Sequence, residues 1–181
     1  MVVIILIVLL VAFVSYFVLC QRKFVDLKEK IKNSLSNIGV QQKSRWDALS
    51  QMAKAAKAYK EHEANALINI AKARGGSTPS TVEDVKASEE AFSSALSRLM
   101  VVVEAYPELK ASDLYTRTMT SIDSYENKVR LSRQVYNDCV TKYNRMVKQI
   151  PSSIVAGMLH YTEEQYLEFE AKTQDMPDLD L

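Results

Sequence analysis

The hydrophobic pattern of the chain changes sharply after residue 20. Residues 1–20 (MVVIILIVLLVAFVSYFVLC) contain no charged residue, no Gly and no Pro. Twenty helical residues span about 30 Å, which matches the hydrocarbon thickness of a bilayer. A cleaved signal peptide would begin with basic residues and place small residues before its cleavage site, and this segment does neither. The pattern therefore predicts a transmembrane anchor over residues 1–20.

From residue 21 onward, apolar residues recur at steps of three and four, the spacing that buries one face of a helix. The first stripe predicts a helix that continues from the anchor to Gly75, where glycine caps the last turn. The second predicts a helix up to about residue 105. The third ends at Pro151, because proline cannot donate an amide hydrogen bond. The third stripe is the most regular and consists of Ile122, Tyr125, Val129, Ser132, Tyr136, Cys139, Tyr143, Met146 and Ile150.

Two patterns mark the start of the second helix. In one, Thr78 is the cap and Pro79 takes the first helical position. In the other, Ser80 forms a capping box with Glu83. Both patterns place the start of the helix within a few residues of Ser80.

Helical signals are shorter after Pro151. Residues 152–159 predict a short helix. Thr162 and Gln165 then form a capping-box pattern, which predicts another turn or two. Residues 173–181 are predicted to be a mobile acidic tail.

The three long stripes decide the predicted fold class. Each helix has only one apolar stripe to bury, so the helices must pack lengthwise. The prediction is an all-α fold, in which an N-terminal transmembrane helix continues into a long-helix antiparallel bundle of about four helices. The anchor covers residues 1–20 and the soluble helical bundle covers residues 21–172.

The charges of the chain are balanced, with 23 Lys+Arg against 22 Asp+Glu and a formal net charge of +1. This balance argues against a nucleic-acid-binding protein, which normally carries a basic excess. Basic residues cluster just after the anchor and resist translocation, which predicts a cytoplasmic bundle and a short N-terminus outside. The predicted membrane-interface residues are Tyr16, Phe17, Arg22 and Lys23.

Candidate metal chemistry is incomplete in this sequence. His62 and Glu63 resemble the start of a zinc-protease motif, which requires a second His where this chain has Ala66. A di-iron bundle requires Glu-x-x-His pairs, and neither His62 nor His160 belongs to one. We therefore assign no catalytic, metal-binding or cofactor-binding residue, and expect no cofactor.

Polar residues at helical positions are the remaining candidates. A Tyr-Asn pair occurs at Tyr136 and again seven residues later at Tyr143. Such residues fix the register of a bundle, with Glu126 or a facing acid satisfying Arg133. The alternative is a polar groove that receives a partner helix. The candidate partner or register positions are Asn33, Asn37, Arg45, Asp47, Glu126, Asn127, Arg133, Tyr136, Asn137, Tyr143 and Asn144.

Several short sequence motifs occur along the chain in a fixed order. Each is weak alone, but the ordered set is specific for a family. They are residues 31–41, Arg45, Asp47, Leu49, Tyr59, His62-Glu63, Ala73-Arg74, residues 106–111, Glu126-Asn127, Arg133, Tyr136-Asn137, Tyr143-Asn144 and residues 150–156. With this set, the chain resembles the LemA family of bacterial membrane-anchored proteins. The resemblance implies a transmembrane helix, a helical bundle of about four helices and a single-pass protein of the bacterial inner membrane. It implies no catalytic residues.

Three functions remain open at this point. The leading hypothesis is a non-enzymatic membrane-anchored scaffold or adaptor, whose partners are the lipid bilayer and either a second copy of the chain or another membrane protein. A second is a membrane-bound metal-dependent hydrolase that uses Glu61, His62, Glu63 and Asp47. A third is a membrane-shaping protein in which residues 22–32 contact anionic lipid. No small-molecule substrate is evident.

Overall fold

The computed structural model describes residues 1–57 and 79–168 of the chain. Within these ranges the structure is helical and has no strand, which confirms the all-α prediction. The predictions for Gly75, for His62 with its neighbours and for the tail at 173–181 lie outside the described residues. The helices are α1 (Val2–Ala56), α2 (Val82–Ala105), α3 (Pro107–Lys110), α4 (Asp113–Lys148) and α5 (Ser152–Met158).

Two parts of α1 have different surroundings. Its N-terminal part has a mean hydropathy of 3.3 and is 0% buried, and it is long and apolar enough to cross a membrane. From Cys20 onward, the residues of the predicted stripe are buried against the other helices. One continuous helix therefore passes from an exposed apolar segment into the core of the bundle.

The start of α2 differs from both predicted starts. Thr81 is the N-cap: its hydroxyl accepts a hydrogen bond from the Asp84 amide at 3.1 Å, and the Asp84 carboxylate accepts one from the Thr81 amide at 3.0 Å. Ser80 also donates to Asp84 from its amide and its hydroxyl, both at 2.9 Å. These hydrogen bonds, those from Ser80 first, lower the pKa of Asp84. The short Asp side chain at N3 takes the place that the prediction gave to Glu83.

The core of the bundle consists of two hydrophobic clusters along α1. The distal cluster surrounds Trp46 and Met52, and it includes Phe92 and Leu99 from α2. The proximal cluster lies next to the apolar N-terminal segment. Its buried residues are Cys20, Phe24, Leu27, Ile31, Leu35, Ile38, Val82, Val85, Tyr136, Val140, Tyr143, Val155, Ala156 and Leu167. Burial of each large apolar side chain contributes about 1.5–3 kcal/mol, so both clusters stabilise the lengthwise packing.

The end of the third predicted stripe is wrong at Ile150. This residue is 82% exposed, because α4 ends at Lys148 and the cap Gln149 is extended, so the helical spacing no longer applies. The short helix predicted after Pro151 is confirmed as α5. It ends with His160 in the left-handed region at φ 55°, and the amides of His160 and Tyr161 bond back to Gly157 and Ala156.

The helical turns predicted from Thr162 and Gln165 are also wrong. Residues 161–168 have no regular secondary structure, and their backbone groups bond to side chains of α4 instead of to one another. We call residues 161–168 the C-terminal strap. The capping-box pattern does not produce a helix here, because the side chains of Asn144 and Asn137 bond to the backbone of Glu164 and Leu167 and hold the segment against α4.

Candidate functional site

A charge cluster lies at the level where α1, α2 and α4 meet. It contains two arginines and two glutamates, so its side chains balance in charge. The cluster consists of Gln42 and Arg45 from α1, Glu89 from α2, and Glu126 and Arg133 from α4. The charge cluster lies between the two hydrophobic clusters, whose apolar side chains pack the same three helices together.

Arg45 is the centre of the charge cluster and is only 1% exposed. Its guanidinium contacts Glu89 at 2.5 Å and forms a second ion pair with Glu126. The carbon of the guanidinium also lies 4.0 Å from the centre of the Phe92 ring, a stacking contact that arginine makes readily. These contacts give the buried charge two anionic partners and one aromatic partner.

Glu89 joins the two arginines. One carboxylate oxygen accepts from Arg45 and from the Gln42 amide at 2.7 Å, while the other lies 2.9 Å from Arg133. Burial by itself would raise the pKa of Glu89, but the charges of Arg45 and Arg133 and the Gln42 hydrogen bond outweigh it and lower the pKa. Glu89 is therefore held as an anion between two cations.

Two partners were expected for Arg133, either Glu126 or an acid on a facing helix. The facing acid that satisfies it is Glu89, whereas Glu126 pairs with Arg45. Sequence reasoning missed Glu89 and Gln42, although the spacing contained a signal. Glu89 lies four residues after Val85 and three before Phe92, a position that the apolar stripe assigns to the core. A charged residue on an apolar stripe indicates a buried ion pair.

A second polar arrangement holds the C-terminal strap against α4, and we call it the amide clamp. Asn144 donates to the carbonyl of Glu164 and accepts from its amide, both at 2.9 Å. Asn137 makes the same pair of bonds with Leu167, again at 2.9 Å. Tyr136 adds a hydrogen bond to the carbonyl of Gln165 at 3.0 Å. Each asparagine thus bonds to both the amide and the carbonyl of one strap residue.

The spacing of the two asparagines explains why the clamp fits an extended segment. Seven residues of helix advance about 10.5 Å. Three residues of extended chain advance about 10 Å. Asn137 and Asn144 are seven residues apart, and their partners Leu167 and Glu164 are three apart and run in the opposite direction. The repeated Tyr-Asn pair is therefore a register device between a helix and an extended strap.

Tyr143 packs beneath the amide clamp. Its ring meets Phe24 edge-on at 5.7 Å, and Lys28 lies 5.9 Å from the ring centre. Burial raises the pKa of Tyr143 to about 12, with smaller contributions from Glu164 and Tyr161. This side chain remains a neutral phenol at physiological pH and contributes packing.

The other candidates lie on the surface. Asn33, Asn37, Asp47 and Asn127 are exposed, and Asn127 bonds within its own helix to the Asp123 carbonyl at 3.1 Å. Asn37 borders a shallow groove of about 150 Å³ between α1 and α4. The other residues that line this groove are Ser34, Leu131, Ser132 and Val135.

The predicted membrane-interface residues lie where α1 leaves its apolar segment. Tyr16 is 39% exposed, and Phe17 packs against the proximal cluster. Arg22 and Lys23 are exposed on the next turn.

Metal chemistry finds no support among residues 1–57 and 79–168, where no group of three or more His, Cys, Asp or Glu side chains is placed to hold an ion. Asp47 is exposed on α1, and the other three residues of the hydrolase hypothesis lie outside these ranges. The charge cluster pairs its carboxylates with arginines, so they are not open to a cation.

Comparison with known proteins agrees with this architecture. The profile of the LemA family matches residues 34–181, which include the charge cluster and the amide clamp. The chain belongs to the LemA family. Family membership and the apolar segment of α1 together indicate a membrane-associated helical protein with an N-terminal anchor.

Curated relatives include both LemA and magnetosome proteins. The chain is 29% identical over 152 residues to protein LemA of Metamycoplasma hominis, covering 81% of this chain and 68% of the relative. It is 33% identical over 86 residues to magnetosome protein MamQ 2 of Paramagnetospirillum magneticum, covering 48% of this chain and 31% of the relative. It is 31% identical over 75 residues to magnetosome protein MamQ of Magnetospirillum gryphiswaldense, covering 41% and 28%. The chain thus spans about a third of the length of the two MamQ relatives.

Proposed function

We propose that this LemA-family chain is a non-enzymatic membrane-anchored scaffold or adaptor, which self-associates or binds another membrane protein through its helical bundle. The anchor is the apolar segment of α1, in the bacterial inner membrane. The bundle faces the cytoplasm, and the exposed Arg22 and Lys23 next to the anchor support this orientation.

The observation that carries the proposal is the exposed apolar face between α1 and α4. Leu131 is 58% exposed and Val135 is 53% exposed, and both line the groove beside Asn37. Val40, which is 55% exposed, lies three residues after Asn37 and extends the same face of α1. Large apolar side chains that share one surface with uncharged polar groups are typical of protein contact sites.

The interior arrangement supports the same function. Within the described ranges, the buried charged residues pair with one another, and the clamp asparagines bond to backbone. These polar groups serve the fold, and their hydrogen-bonding capacity is used inside the bundle. The anchor itself lacks a Gly-x-x-x-Gly face, so lateral contact of the bundles is favoured over packing of anchors.

Photo-crosslinking of the full-length chain in intact cells tests this proposal. A photoreactive residue at Val135 should give adducts with a second copy of the chain or with another membrane protein. The matched control is Val101, which is 67% exposed but lies on α2, away from the α1–α4 groove. Absence of adducts from Val135, together with a strictly monomeric detergent-purified protein over a wide concentration range, would refute the assembly role.

A further inference from the structure

The corner after α4 has an unusual composition for this chain. Residues 149–162 contain no Asp, Glu, Lys or Arg, although these types make up 25% of the whole sequence. The corner itself, residues 149–160, begins at the C-cap of α4 and contains the turn at Pro151 and the whole of α5. An uncharged stretch of this length indicates contact with an apolar environment on more than one side.

The helix α5 packs against the bundle through one face. Val155 and Ala156 are buried in the proximal cluster. On the opposite face, Ile154 is 57% and Met158 is 59% exposed, and Ile150 is 82% exposed at the turn before the helix. An added Cβ at Gly157, between these residues, would meet no atom within 4 Å. The outer face of α5 is therefore apolar and open.

The position of the corner relative to α1 identifies what this face meets. The antiparallel pairing of α4 with α1, seen in the contacts of Glu126 with Arg45 and of Tyr143 with Phe24 at 5.7 Å, sets the height of the corner. Lys148 lies five residues after Tyr143, about 7.5 Å further toward the membrane. The corner therefore begins level with the last residues of the anchor, where headgroups meet acyl chains once the anchor spans the bilayer.

The charges around the corner fit the same location. Arg145 and Lys148 lie in the last turn of α4, and Arg22 and Lys23 follow the anchor on α1. All four are exposed, and Lys148 pairs with Glu163 of the strap at 2.7 Å. An apolar face flanked by basic residues is the pattern of helices that lie in the plane of a membrane interface, with their apolar face buried about 5–10 Å.

We propose that the corner formed by residues 149–160 is a second membrane-contact site, which inserts Ile150, Ile154 and Met158 among the lipid headgroups and upper acyl chains. The occupant of this face is the bilayer that holds the anchor, in preference to a second copy of the chain. The site fixes the bundle against the membrane surface instead of letting it turn freely on one helix. This proposal rests on the anchor part of the proposed function and is independent of the scaffold role.

Tryptophan quenching by brominated lipids tests the site in the full-length chain. The chain has one tryptophan, Trp46, which is 1% exposed and lies about 39 Å from Cys20 along α1, so it gives a constant background. The protein is reconstituted in nanodiscs with lipid brominated at the upper acyl carbons, with lipid brominated near the chain ends, or with the unbrominated lipid. The variants are Ile154→Trp for the site, Leu9→Trp for the anchor and Val101→Trp for an exposed position on α2.

We expect bromine to reduce the added fluorescence of Ile154→Trp about two-fold or more, because the depth of interfacial helices brings the indole within contact of the bromines. Leu9→Trp should be quenched through deeper bromines, and Val101→Trp should not be quenched. Met158→Trp, at the other end of the same face, provides a second reporter if Ile154→Trp loses helical structure by circular dichroism.

Each contrary outcome overturns a separate statement. Quenching of Leu9→Trp without quenching of Ile154→Trp and Met158→Trp would refute the second site and leave the anchor intact. Loss of quenching at Leu9→Trp as well would refute the anchor, and the second site with it. A blue-shifted but unquenched Ile154→Trp would show that protein and not lipid covers the face, which also refutes the proposal.

Discussion

The charge cluster and the amide clamp hold the same helix, α4, by opposite means. The cluster joins ionised side chains of three helices, and Arg45 at its centre is 1% exposed. The clamp joins two neutral amides to the backbone of an extended segment. Burying a charge costs far more than burying an amide, so the cluster is stable only when every partner is present. The hydrogen bonds of the two asparagines do not depend on which side chains the strap carries, because they are made to its backbone groups.

This difference predicts where single substitutions have the largest effect. The substitution Glu89→Gln removes the anion shared by Arg45 and Arg133 while keeping the shape of the side chain. Breaking a buried ion pair costs about 3–5 kcal/mol, and we expect the lower end because Glu89 is 23% exposed. Denaturation of the full-length chain in detergent, followed by the fluorescence of Trp46, measures the loss.

The control for this experiment is Glu90→Gln, an exposed position one residue along the same helix. It should change the free energy of unfolding by less than about 0.5 kcal/mol. Equal effects of the two substitutions would contradict the assignment of Glu89 as the joint between the arginines.

A smaller and more local effect is expected at the clamp. Asn144→Ala removes both hydrogen bonds to Glu164, and lost hydrogen bonds at a partly buried site cost about 1–3 kcal/mol. The amide of Glu164 should then exchange with solvent about ten-fold to one-hundred-fold faster in hydrogen-exchange experiments. The helices should keep their protection, because α1 and α4 also pack through the other buried apolar residues of the proximal cluster.

Asn127→Ala is the matched substitution for the clamp. Asn127 is on the same helix, and its hydrogen bonds among the described residues are to Asp123 and Arg130 within α4. Its loss should leave exchange at Glu164 and Leu167 unchanged. Faster exchange in this variant would show that the strap responds to general loosening of α4 rather than to the clamp.

The smallest expected effect is a dependence on pH that only the charge cluster has. The pKa of Glu89 is lower in the folded chain than its ordinary value, so its contribution to stability is complete above the unfolded pKa of about 4.3 and is lost as the pH falls through the folded value. The loss of stability on acidification is smaller than the loss caused by Glu89→Gln, because it is limited to the difference between the folded and unfolded pKa of Glu89. The free energy of unfolding should fall more steeply with decreasing pH for the native chain than for Glu89→Gln. Parallel curves for the two proteins would contradict a role of Glu89 in this pH dependence.

Much of the fold could be predicted because it depends on neighbours in sequence. The apolar segment, α2, α4 and α5 follow from spacing and composition over a few turns. The failures were at Thr81, Ile150 and Thr162. At Thr81 the predicted start came too early, because Asp84 and not Glu83 completes the capping box. At Ile150 and Thr162 the helical pattern was extended past a point where the backbone changed direction or found another hydrogen-bond partner.

The candidate polar residues were found by type and spacing, but their partners were not. The sequence marked Arg45 and Arg133, and an apolar stripe interrupted at Glu89 could have marked the third member. For Asn137 and Asn144, nothing in the spacing of α4 alone identifies the strap as the partner, since its contacts are backbone groups without a side-chain signature.

The amino-acid sequence by itself determined an apolar segment long enough for a bilayer, a set of long amphipathic helices and the family to which they belong, because each of these is written in periodicity or in an ordered set of residues. Tertiary structure decided which charges meet, how the strap lies and which face of α5 stays open. Arg45 meets Glu89 across 44 residues and Glu126 across 81, and Asn137 meets Leu167 across 30. Contacts over such separations depend on how whole helices pack, and no local pattern specifies them.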